Sequence, residues 1–165
     1  MKEKSHFAIQ SPLTLAFSII ICLAAGFLGS FVTITGPGSW YAQLEKPWFN
    51  PPSFLFGPVW TALYILMGIA LYLVLLEGLE KPLVRVGAGL FAIQLVLNAI
   101  WSYAFFGLES PFLGFVELVI LWIFILATII IFYRVKRTAA ILMVPYIAWV
   151  TFAGVLTYTI MILNP

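Results

Sequence analysis

Charge is what this sequence has least of. Its 165 residues include only 8 Lys+Arg and 6 Asp+Glu, and every acidic residue is a glutamate because aspartate is absent. A soluble domain carries about a quarter charged residues, since its surface must be wetted. Here the share is 8%, with a mean hydropathy of +1.12, so polar groups are too few to coat a globule. A water-soluble enzyme is excluded on that ground. A disordered chain, which needs high charge and low hydrophobicity, is excluded too. The net charge of +2 is too small and too scattered for nucleic acid. A single cysteine, Cys22, has no partner for an internal disulfide and behaves as a small hydrophobe. One histidine without any aspartate offers no multi-His or Cys/His metal site, and no cofactor is implied. Internal repeats are also missing, which argues against an inverted-repeat transporter.

What the sequence has instead is apolar length. A helix crossing the hydrocarbon needs about 20 apolar residues, and five stretches qualify: 13–32, 57–76, 83–106, 112–133 and 138–163. Lipid offers no partner to an unpaired amide, so each must be helical. Alternating segments of roughly ten residues, the mark of a β-barrel, do not occur. The expectation is an all-α membrane protein: one domain, 1–165, built as a five-transmembrane-helix bundle in the lipid bilayer. The first run follows Lys2 and Lys4 and contains Ala24–Ala25–Gly26, features shared with a secretory signal. It is about twice as long as a usual signal core of roughly 7–15 residues, so it is expected to stay as a helix.

Basic residues set the orientation. The N-terminus and the second and fourth connections carry Lys2, Lys4, Lys81, Arg85, Arg134, Lys136 and Arg137, against Lys46 alone on the other side. The N-terminus is expected in the cytoplasm and the C-terminus outside, with the cell membrane as the location. The first connection, 33–56, is long and holds Pro37, Pro47, Pro51 and Pro52 with Trp40, Tyr41, Trp48 and Phe49. It reads equally as an interfacial loop anchored by its aromatics and as a lid over the bundle.

Polar residues inside spans must face protein or a cavity. Gln94, Asn98 and Ser102 fall at i, i+4 and i+8, on one helix face. Ser102 is expected to tie helices together. The amide of Asn98 either does the same or meets a ligand. In the second case Asn98→Leu should weaken a polar-edged ligand by about 0.5–1.5 kcal/mol while leaving packing intact. Glu117, roughly 8 Å into its span at 1.5 Å per residue, is expected to hydrogen-bond a neighbouring helix or loop. By the same helical rise Trp60, Asn98, Glu117 and Ala153 share one depth, directly beneath the 33–56 loop. That coincidence points to a pocket. Two pairs of small residues, Ala25/Gly29 and Gly26/Ser30, and the run Gly87, Ala88, Gly89 and Ala92 suit close helix approach. They serve either packing inside a subunit or a homodimer face, and a homodimer through one of them is the expectation.

Three segments carry a family resemblance: WYAQLEKPWFNPPSFLFGPVWTALYILMG (40–68), QLVLNAIWSYAFFG (94–107) and VPYIAWVTFAGVLTYTI (144–160). Together they resemble the translocator protein family, whose bacterial members are called tryptophan-rich sensory proteins and whose mitochondrial member is the peripheral benzodiazepine receptor. The resemblance implies a five-helix bundle, commonly a homodimer. It further implies binding of porphyrins such as protoporphyrin IX, sterols, and benzodiazepine- or isoquinoline-type molecules among the helices. It places ligand contacts on Trp60, Asn98, Trp101, Trp149 and Ala153, and the expected set is completed by Tyr64 and Trp48. A cholesterol motif proposed for the mitochondrial member needs a basic residue soon after the position of Tyr158, and none follows here. A porphyrin or other hydrophobic small molecule is therefore the expected partner.

Three functions compete. A receptor or sensor would stack a flat macrocycle on the tryptophans. Light-dependent porphyrin degradation, an activity the resemblance assigns to the tryptophans matching Trp60 and Trp149, would produce a new absorption band lost in Trp60→Phe and Trp149→Phe. A porphyrin or sterol transporter would accumulate its cargo in sealed vesicles.

Overall fold

Three of the spanning helices begin with proline, whose missing N–H costs nothing in a first helical turn. The structure, a computed structural model, describes residues 11–165. Its helices are α1 (Pro12–Ser30), α2 (Trp40–Gln43), α3 (Phe56–Leu75), α4 (Pro82–Ser102), α5 (Pro111–Val135) and α6 (Arg137–Leu163). A 3-10 turn, Ser53–Leu55, leads into α3, and a π-helical turn, Tyr103–Gly107, continues α4. All but the short α2 are long and apolar enough to cross a membrane, and no strand occurs among the described residues. The chain is an all-α, five-helix membrane protein. Lys2 and Lys4, used above for orientation, lie outside the described residues.

Packing closes the five long helices into a ring. Helix α1 lies against α3 and α4, α4 against α5, α5 against α6, and α6 against α3. The side chains pointing away from this ring are apolar, among them Leu13, Phe17, Ile20, Ile123 and Ile162. That is the reverse of a soluble surface, and it matches a hydrocarbon solvent. Inside, the helices come close where side chains are small. A Cβ on Gly68 of α3 would stand 2.6 Å from the Cα of Ile19 on α1, and one on Gly29 would stand 2.8 Å from Oγ of Ser102 on α4. A Cβ on Gly26 would run into the ring of Tyr64.

Ala25 and Gly29 of α1 therefore pack inside the subunit, where both are buried, whereas Ser30 of the second pair is exposed. Gly87 is used the same way, against Ile131 and Phe132 of α5. Gly89 has open space around it and Ala92 is exposed, so only that part of the α4 run faces outward.

One connection departs from what hydropathy marks out. Helices α5 and α6 are joined by Lys136 alone, extended at φ −152 and ψ 104, because helical hydrogen bonding continues through Arg134 and resumes at Arg137. Charged side chains near a membrane helix end reach outward and need not terminate it. Gly78, at φ 100, makes the turn from α3 to α4, a backbone region that suits glycine. Beside it Glu77 pairs with Lys136 at 3.0 Å and Lys81 at 3.5 Å, tying the two turns together. The hydrogen bond and charge of Lys136 hold the Glu77 carboxyl below the usual carboxylate range.

Candidate functional site

At the opposite end of the bundle, residues 31–55 fold back across the helices. Ser39 opens α2 by accepting a hydrogen bond from the Ala42 N–H at 3.2 Å, which turns Tyr41 inward. Tyr41 is buried against Phe105 and Phe106, with ring centroids 6.2 and 5.4 Å away. Burial pushes its hydroxyl up from the ordinary tyrosine value, against the pull of its hydrogen bond to Asn50. That hydroxyl donates to Asn50 Oδ1 at 3.0 Å. Asn164, just beyond α6, clasps the Glu45 peptide from both sides. Its Oδ1 accepts from the Glu45 N–H and its Nδ2 donates to the Glu45 carbonyl, each at 2.9 Å. The loop is a roof fastened to the end of α6.

Beneath this roof lies a cavity of about 440 Å³, within the range of small-molecule sites. Helix α1 contributes Gly26 and Gly29, α3 contributes Trp60 and Tyr64, and α6 contributes Trp149 and Ala153. Helix α4 contributes Asn98, Trp101 and Ser102, and the roof contributes Thr33, Tyr41 and Ser53. Three tryptophans thus stand on three walls, each braced by another ring. Trp60 stacks on Tyr64 at 5.5 Å, Trp101 on Phe105 at 5.4 Å, and Trp149 meets Phe56 edge-on at 6.2 Å. Such rigid aromatic walls suit a flat apolar guest.

Of the residues expected at the site, the structure gathers Trp60, Tyr64, Asn98, Trp101, Trp149 and Ala153 around this one cavity. Trp48 is not among them. It is 96% exposed at the tip of the loop and touches Phe49 edge-on, as an interfacial anchor would. The loop thus carries aromatics of both kinds, Tyr41 turned in and Trp48 turned out. Ser102, expected to tie helices, lies against Gly29 and also lines the cavity.

Asn98 is 4% exposed, and both ends of its amide are hydrogen-bonded. The Tyr64 hydroxyl donates to its Oδ1. Its Nδ2 donates to the Tyr146 oxygen at 3.1 Å, and the Tyr146 hydroxyl donates to Gln94 Oε1 at 2.9 Å. This chain of four side chains joins α3, α4 and α6 at the cavity floor. The amide is therefore the middle of a three-helix network, and Asn98→Leu would break that network as well as any ligand contact. Tyr146 had no signal in the sequence beyond being an aromatic in an apolar run.

Glu117 also departs from expectation. It lies on α5, which does not line the cavity. It is only 8% exposed, and neither carboxyl oxygen has a hydrogen-bond partner among the described residues. The expected bond to a neighbouring helix or loop is absent there. On α4, two buried donors, Gln94 Nε2 and Trp101 Nε1, are likewise without partners among the described residues.

Comparison with known proteins extends these observations. The model of the TspO/MBR family matches residues 18–163. The chain is 54% identical to the tryptophan-rich protein TspO of Chlorobaculum tepidum over 93% of its own length and 97% of that relative. It is 45% identical to the tryptophan-rich protein TspO of Archaeoglobus fulgidus, over 92% and 97% of the two chains. Against the translocator protein of Homo sapiens the identity is 40%, over 81% and 82%.

Proposed function

This chain belongs to the TspO/MBR family, and on that premise we propose that it is a membrane receptor or sensor for hydrophobic tetrapyrroles. Protoporphyrin IX is the representative ligand, and benzodiazepine- or isoquinoline-type molecules fit the same chemistry. The observation that carries this is the roofed cavity whose walls hold Trp60, Trp101 and Trp149. A planar macrocycle gains dispersion and apolar burial on each face against those rings, and the roof excludes water from its edge.

The test is quenching of tryptophan fluorescence by protoporphyrin IX in detergent. Saturable quenching is expected for the native chain. Each of Trp60→Ala and Trp149→Ala should weaken binding by about 1–3 kcal/mol, the scale of one buried aromatic contact. Quenching that never saturates, or that survives both substitutions at full affinity, removes the cavity as the site.

The proposal includes orientation and assembly. Lys81, Arg85, Arg134, Lys136 and Arg137 mark the end opposite the roof, and that end faces the cytoplasm by the distribution of positive charge. The roofed end then opens to the outside of the cell membrane. The homodimer forms through the outward strip of α4 that contains Gly89 and Ala92, where backbones can approach. Gly89→Leu with Ala92→Leu should cut the yield of crosslinked dimer severalfold in membranes, and an unchanged yield places the interface elsewhere.

A further inference from the structure

The polar groups that line the cavity are hydroxyls, one amide and the indole N–H groups of Trp60, Trp101 and Trp149, and none carries a formal charge. At the roofed end, the described residues hold a single basic side chain, Lys46. Its ammonium is held in place. Nζ donates to the carbonyls of Leu44 at 2.9 Å and Ala42 at 3.4 Å, and it sits 4.7 Å from the ring centroid of Tyr41. Tyr41 itself lines the cavity, so this cation stands one ring away from the guest's space. An ammonium has three N–H donors, and two point to carbonyls. No carboxylate lies within 4.0 Å of it among the described residues, the ion pairs there being those of Glu77 at the other end.

These facts constrain the guest. A carboxylate carried into the neutral cavity would lose its hydration with no cation to meet it, at a cost that neutral hydroxyl and indole donors do not offset. A flat apolar molecule with acid groups on one edge must therefore enter apolar edge first and leave the acid edge at the roof. We propose that Lys46 is the anchor for a ligand carboxylate. The site then selects planar hydrophobes that carry an acid at one edge over neutral ones of the same shape. This deepens the tetrapyrrole reading and rests on it. The competing source of an anionic oxygen at this depth is a lipid phosphate, and the two can be separated.

The test uses the full chain in nanodiscs of phosphatidylcholine, titrated with protoporphyrin IX and with its dimethyl ester, which keeps the ring and removes both charges. Lys46→Met should weaken the free acid roughly tenfold, the scale of a charge-assisted hydrogen bond, and leave the ester unchanged. Lys46→Arg, which keeps the charge, should restore most of the affinity for the acid. Equal loss for acid and ester would mean that the substitution deforms the loop, and it would overturn the anchor. So would an unchanged affinity for the acid. In discs containing phosphatidylglycerol the tenfold difference should persist. Its disappearance there assigns Lys46 to lipid phosphate and overturns the proposal. If the native chain binds neither acid nor ester, the cavity reading fails first, and the anchor falls with it.

Discussion

Replacing Asn98 by leucine is expected to destabilise the ligand-free protein by about 1–3 kcal/mol, the cost of stranding a buried polar partner. Tyr64 loses the acceptor for its hydroxyl, and Tyr146 loses a donor while keeping its bond to Gln94. Leucine has as many side-chain heavy atoms as asparagine but is bulkier and cannot hydrogen-bond, so the main loss is the hydrogen bonding of the network. Hydrogen bonds inside membranes average only about 0.6 kcal/mol by mutant cycles, which sets the lower end. The upper end applies because Asn98 is the one hydrogen-bond partner of the Tyr64 hydroxyl among the described residues. For a chain of this size the melting temperature should fall by about 2–4 °C per kcal/mol. Tyr64→Phe combined with Asn98→Leu should cost little more than Asn98→Leu alone, since the stranded hydroxyl is then gone. A melting temperature unchanged in Asn98→Leu, with ligand affinity reduced, would show that the amide serves the ligand and not the helices.

Glu117→Leu is expected to move stability the other way. A buried carboxyl without a partner carries a desolvation cost of about 1–3 kcal/mol or more, and neither oxygen of Glu117 is hydrogen-bonded among the described residues. Leucine fills nearly the same space and has nothing to desolvate. The melting temperature in detergent should therefore rise by several degrees. A fall would mean that the carboxyl holds α5 to a neighbour through a polar bridge. Binding measured on the same preparation adds a second reading: a more stable variant with lost affinity would mark the acid as retained for function.

The polar network shows how far sequence alone could go. Gln94 and Asn98 announce themselves because an amide in an apolar span at helical spacing has to face inward. Trp101, seven residues after Gln94, continues that face. Tyr146 does not announce itself, since a tyrosine among Pro145, Trp149 and other apolar residues looks like any buried ring. Its role depends on a partner 48 residues away, and no local pattern encodes that distance. Trp48 and Tyr41 make the same point in the loop. Both are aromatics in a proline-rich stretch, yet one faces solvent and the other the cavity, because only the path of the folded loop decides which way each turns.

By itself the sequence determined the solvent, the number of spans, their helical state and the depth at which the unusual residues lie. Those are transfer properties: the free energy of moving each segment from water to hydrocarbon is a local sum, and the helical rise fixes depth. The tertiary structure decided which faces meet. It placed α5 outside the cavity and left Glu117 without a partner. It directed Ala25 and Gly29 into the subunit and left Gly89 and Ala92 facing outward. Lipid supplies no hydrophobic drive between helices, so rotation and neighbour are set by the fit of small side chains, rings and hydrogen bonds across helices, which depends on all of them at once.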